Sequence, residues 1–167
     1  QIPPDQIPKL SWGQVSSVLV YAGLVVGDLL SGLLSQALQS RRKSILLSLS
    51  LLTVGVIAFF VMRGLASSAF YGLCFYLGIS AGYWAMFVTV AAEQFGTNLR
   101  ATVTTSVPNF VRGSVVPVTL LFTTLKGRVG MLQAAWIVGA TVFLISLLAL
   151  RVLEETFSKD LNFVEEI

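Results

Sequence analysis

A chain of 167 residues that is 55% hydrophobic and 11% charged, with a mean hydropathy of +0.83, has too few polar side chains to clothe a water-soluble core. Eleven basic and eight acidic residues, a net charge of +3 and a pI near 9.3 suit basic loops beside a bilayer and do not signal a nucleic-acid partner. With no histidine and one cysteine, Cys74, set in an apolar run, a disulfide framework and a thiolate metal cluster are excluded, and neither metal nor cofactor is expected.

The opening QIPPDQIPKLSWGQ has no basic region ahead of an apolar core. It reads as a connecting segment of a longer protein, residues 1–14, and not as a signal peptide. Five apolar runs follow, Val15 to Leu38, Ser44 to Met62, Ser68 to Ala92, Thr102 to Thr124 and Val129 to Leu150. Each is close to the ~20 helical residues that cross a bilayer. Continuous apolarity, without alternation at every second residue, argues against a β-barrel. The short breaks QSRRK, RGLAS, EQFGTNLR and LKGR require antiparallel neighbours. The expected fold is an all-α integral membrane bundle of five transmembrane helices over residues 15–151, with a tail at 152–167.

The spans differ in polarity. In the first, Ser17, Tyr21, Asp28, Ser31 and Ser35 form a polar stripe, and Gly23 with Gly27 gives the small-residue spacing that lets helix backbones approach. The second has no ionisable residue in its middle and is expected to face lipid. Tyr76, Ser80 and Tyr83 mark a polar face on the third, beside Gly78 and Gly82. The fourth carries Thr102, Thr105, Asn109 and Arg112 at intervals of three and four, hence on one helical face, and Pro108 and Pro117 favour a bend in it. The fifth is bland, like the second.

Placing the QSRRK loop in the cytoplasm puts Arg41, Arg42, Lys43, Arg100, Arg151 and Lys159 inside, against Lys9, Arg63, Lys126 and Arg128 outside. The connecting segment 1–14 is then extracytoplasmic and the tail 152–167 cytoplasmic. An intramembrane enzyme would need convergent nucleophiles, a metal cluster or an acid–base pair, and the sequence offers none at a recognised spacing, so no enzymatic activity is expected.

AAEQFGTNLRATV resembles the junction of the tenth and eleventh helices in major facilitator superfamily transporters, where a carboxylate ends one helix and a Thr-x-x-Arg turn starts the next. SQALQSRRKSILL resembles the loop between helices eight and nine, a degenerate copy of Gly-x-x-x-Asp-Arg-x-Gly-Arg-Arg. LEETFSKDLNFVEEI is similar to the Glu-Thr segment after the twelfth helix of sugar-porter-like members. Departures are present as well: Ala37 and Ser40 occupy the acidic and glycine positions of the loop, Gly96 replaces a proline common in the turn, and Glu154 stands where sugar porters usually have proline.

The resemblance implies helices eight to twelve of the carboxy-terminal half, from a sugar-porter-like or related metabolite symporter branch, with an amino-terminal transporter half as partner. It implies a multi-pass protein of the cell membrane that moves a small polar or anionic solute by alternating access, coupled to an ion such as the proton. The family's helices eight, ten and eleven face the central cavity, which matches the three polar-faced spans. A transporter-like protein that senses a ligand, or serves as an assembly module without transport, is the alternative.

Two sets of residues carry these expectations. Glu93, Arg100, Arg41 and Arg42 lie at helix ends on the cytoplasmic side and are expected to form a charge cluster acting as a conformational gate. Asp28 and Arg112 lie deep in spans, each roughly 18–20 Å from the inner basic residues at ~1.5 Å per helical residue. A charge at that depth calls for a partner or for water. With Asn109, Tyr76 and Tyr83 they are the candidates for substrate binding and coupling, Arg112 attracting the solute and Asp28 either holding Arg112 or taking up a proton.

Overall fold

The computed structural model describes residues 11–62, 66–159, 162 and 164. Most of the expected connecting segment, the end of the tail, Lys9 and Arg63 lie outside the described residues. Among the described residues six helices follow in order: α1 Trp12–Leu38, α2 Arg41–Val61, α3 Ser67–Ala81, α4 Trp84–Glu93, α5 Thr97–Val129 and α6 Met131–Val152. No strand occurs among the described residues.

Four helical runs among the described residues are long and apolar enough to cross a membrane: Trp12–Leu38, Arg41–Val61, Ser67–Glu93 and Met131–Val152. The described residues are therefore helical with no strand, and the chain is membrane-embedded. Two of the expected spans differ in form from what the sequence suggests. The third is broken at Gly82 and Tyr83 into α3 and α4. The fourth, α5, is ample in length at 33 residues but is not among the apolar runs, because its threonines, Asn109, Arg112, Lys126 and Arg128 dilute its hydropathy. It continues as one helix through Pro108 and Pro117.

The chain divides into two compact units, residues 1–39 with 43–86, and residues 40–42 with 87–167. In the first unit α1 packs against α3, and the contact is made by small residues. The buried positions of α1 are Gly23, Gly27, Ser31 and Ser35, a strict four-residue ladder that keeps to one face of the helix. A Cβ on Gly82 would fall 2.6 Å from the backbone carbon of Gly27, and one on Gly27 would fall 2.8 Å from Gly82 Cα. Only glycine permits that approach.

The polar stripe expected on α1 thus divides: Ser31 and Ser35 are buried, whereas Ser17 and Tyr21 are exposed. Nor does α2 turn only to lipid, since Ser44, Ser48, Leu49 and Gly55 are buried and the Ser44 hydroxyl donates to the Ser31 carbonyl at 3.2 Å. A serine that hydrogen-bonds a neighbouring helix is small enough to pack closely and satisfied enough to be buried. In the second unit α5 packs on α6, with Ala134 and Val138 of α6 buried and no residue of α5 buried.

Candidate functional site

The expected charge cluster forms in the second unit around Glu93, the last residue of α4. Arg41, the first residue of α2, reaches it with two nitrogens: Nη2 lies 2.7 Å from Oε1, and Nε donates to Oε2 at 3.2 Å. This fork matches the planar guanidinium to the carboxylate. Glu93 is only 8% exposed, so water screens the pair weakly. The buried Thr156 hydroxyl donates to Oε2 at 2.6 Å, and the Arg41 guanidinium carbon lies 5.6 Å from the centre of the Phe157 ring.

A second carboxylate completes the site. Glu155 accepts from the backbone N–H groups of Arg41 at 2.8 Å and Arg42 at 3.4 Å, and from the Ser40 hydroxyl. These are the first N–H groups of α2, which have no partner inside their own helix, and an acceptor with negative charge suits the positive end of the helix dipole. Glu155 also accepts from the N–H groups of Thr156 and Phe157, each at 3.1 Å. Burial by itself raises its pKa, yet the hydrogen bonds from Ser40, Arg41, Phe157 and Arg42 outweigh it and hold the carboxyl below its ordinary range.

Of the four expected gate residues, Arg41 and Glu93 meet directly. Arg42 serves the site differently, its Nη2 donating to the Arg151 carbonyl at the end of α6 at 3.2 Å. Arg100 turns back onto the end of α4, Nε donating to the Ala92 carbonyl at 3.1 Å and Nη2 to the Phe95 carbonyl at 3.2 Å. A cation at a helix C-terminus complements the dipole there. Next to Glu93, the Gln94 Nε2 atom is buried and has no acceptor among the described residues.

Sequence reasoning missed Ser40, Glu155 and Thr156. The last two carried a signal, since Glu155 and Thr156 lie in the segment that resembles the family's Glu-Thr stretch. Ser40 departs from the glycine of the loop pattern, yet a serine before Arg41 is also a helix start signal.

The membrane-depth candidates find local partners. Asp28 Oδ1 accepts from the Ala85 N–H at 3.1 Å, within the first unit. In the second unit Arg112 Nη1 donates to Asn109 Oδ1 at 3.2 Å, and Asn109 Nδ2 donates to the Thr105 carbonyl at 3.0 Å, so the polar face of α5 is linked along its own length and is exposed. The Tyr76 hydroxyl donates to the Leu51 carbonyl of α2 at 2.9 Å, and half-buried Tyr83 sits in the break between α3 and α4.

Comparison of the chain with protein-family models, curated proteins and solved structures returns no match.

Proposed function

We infer that this chain is the carboxy-terminal part of a secondary active transporter of the major facilitator type, with α5 as a fifth, polar-faced span. It moves a small polar or anionic solute by alternating access, coupled to an ion gradient. The observation that carries this reading is the tie between Arg41, Glu93, Thr156 and Glu155. It gathers the start of α2, the end of α4 and the segment after α6 through charge-assisted hydrogen bonds, strong enough to hold and discrete enough to break.

In this reading the cluster is a latch on the cytoplasmic side, stabilising the conformer closed to that side and opening once per cycle. The exposed Thr105–Asn109–Arg112 face supports the same conclusion, since an arginine deep in a membrane helix that is not buried within its own unit needs water or a further protein surface. Arg112 is the residue that attracts the solute.

The test is uptake by the intact protein in sealed proteoliposomes under an imposed proton gradient, using a panel of radiolabelled small polar and anionic metabolites. The reading expects accumulation of at least one compound, abolished by a protonophore. Binding without translocation would overturn transport in favour of ligand sensing or assembly.

A further inference from the structure

Gly82 caps the end of α3, but the sequence around the interruption holds no stronger helix breaker. No proline lies between Ser67 and Glu93, and Gly72 and Gly78 sit inside α3 without ending it. Gly82 alone therefore does not account for the break. The backbone turns there through two short bonds, Gly82 N–H to the Ile79 carbonyl at 3.1 Å and Tyr83 N–H to the Ala81 carbonyl at 2.9 Å, before α4 starts at Trp84.

Two features of α1 coincide with the turn. Its backbone passes so close at Gly27 and Asp28 that a Cβ on Gly82 would lie 2.7 Å from the Asp28 nitrogen. The Asp28 side chain then takes the Ala85 N–H, which an unbroken helix would have given to Ala81 four residues back. A side chain from a neighbouring helix has entered the hydrogen-bond ladder, one of the few ways a helix is broken without proline. In an apolar environment that N–H needs an acceptor, and here it comes from 57 residues earlier in the chain.

We propose that Asp28 is the positioning residue of an interrupted helix: its carboxylate, held in place by the Gly27–Gly82 contact, is the acceptor that lets the third apolar run stop at Ala81 and restart at Trp84. The position requires an acceptor, not a charge. This differs from a proton-carrying role, which requires Asp28 to change ionisation during a cycle. It concerns residues of the first unit only and holds whether or not the chain moves a solute.

The test is amide hydrogen exchange in the intact protein in lipid nanodiscs, comparing wild type, Asp28→Asn and Asp28→Ala. Asparagine keeps an oxygen acceptor of the same reach and caps helices as well as aspartate. Asp28→Ala is expected to speed exchange over residues 84–86 by about tenfold or more, with residues 71–79 within about twofold of wild type, while Asp28→Asn stays within about twofold throughout. If Asp28→Ala fails to accumulate in membranes, wild-type protection in Asp28→Asn still supports the proposal. Exchange in Asp28→Asn as fast as in Asp28→Ala, failure of both variants to fold, or unchanged exchange in Asp28→Ala would overturn it.

Discussion

The seam between α1 and α3 and the cluster around Glu93 hold helices together by opposite means. At the seam the side chains have almost vanished, and Gly23, Gly27, Gly78 and Gly82 bring backbone against backbone. At the cluster long side chains span the gaps, Arg41 to Glu93 and Glu155 to the start of α2. Close packing of this kind has no intermediate arrangement, since shifting one helix along the other drives carbonyls into Cα atoms. A fork of charge-assisted hydrogen bonds can be released and remade without deforming either helix. The seam is suited to staying fixed and the cluster to opening.

The largest expected effect belongs to the seam. Gly82→Val would push its side chain into the Gly27 and Asp28 backbone, neither of which can yield, and should cost about 3 kcal/mol, the upper end of the range for overpacking. The thermal midpoint in detergent, read by size exclusion after heating, should fall further than for any single charge substitution. Gly139→Ala on α6, where an added Cβ meets nothing within 4 Å, is the control; it should be neutral or stabilise by up to about 1 kcal/mol.

At the cluster, Glu93→Gln keeps the shape but removes the charge opposite Arg41. The loss should be about 1.5 kcal/mol, the lower end of the range for hydrogen bonds to charged groups, read as a lower thermal midpoint and weaker protection of the first α2 amides. If Glu93→Gln matched Gly82→Val, the contrast between a fixed seam and a releasable cluster would fail.

The smallest effect concerns pH. The Glu155 carboxyl is held below its ordinary pKa of 4.5, so its ionised form binds more tightly in the fold than in the unfolded chain. Its contribution is fully present above the unfolded pKa and is lost as pH falls through the depressed folded value. Glu155 is exposed, so water reduces the effect. A spin label at Glu154 should gain mobility on acidification, and Glu155→Gln should show that mobility already at neutral pH. Equal mobility of the two proteins at neutral pH would contradict the capping role.

Much of this contrast was legible in the sequence, and the reasons are physical. Four-residue spacing of Gly23, Gly27, Ser31 and Ser35 reports a helix face directly, because helical periodicity is local. Arg41 and Glu93 could be brought together because both close apolar runs at the same presumed surface. The break at Gly82 was hard to read: a glycine can end a helix, but Gly72 and Gly78 sit inside α3 without doing so, and the acceptor for the Ala85 N–H lies on another helix. The buried serines of α2 were passed over for a related reason, since a serine looks the same whether it bonds its own carbonyl, as Ser50 does with Leu46, or a neighbour's, as Ser44 does with Ser31. For Glu155 the sequence offered an acidic tail residue but not the three-dimensional return that sets it on the start of α2.

If the Arg41–Glu93 pair is a latch, reversing its charges should loosen it. A single cysteine introduced at Phe95, with Cys74 replaced by alanine, reports exposure of this surface through its rate of reaction with a membrane-impermeant maleimide in the intact protein. Arg41→Glu and Glu93→Arg are each expected to speed labelling by about tenfold, a shift of ~1.4 kcal/mol between conformers, and the double reversal to return it most of the way to the wild-type rate. Single reversals that leave the rate unchanged, or a double reversal whose effect is the sum of the two, would contradict it.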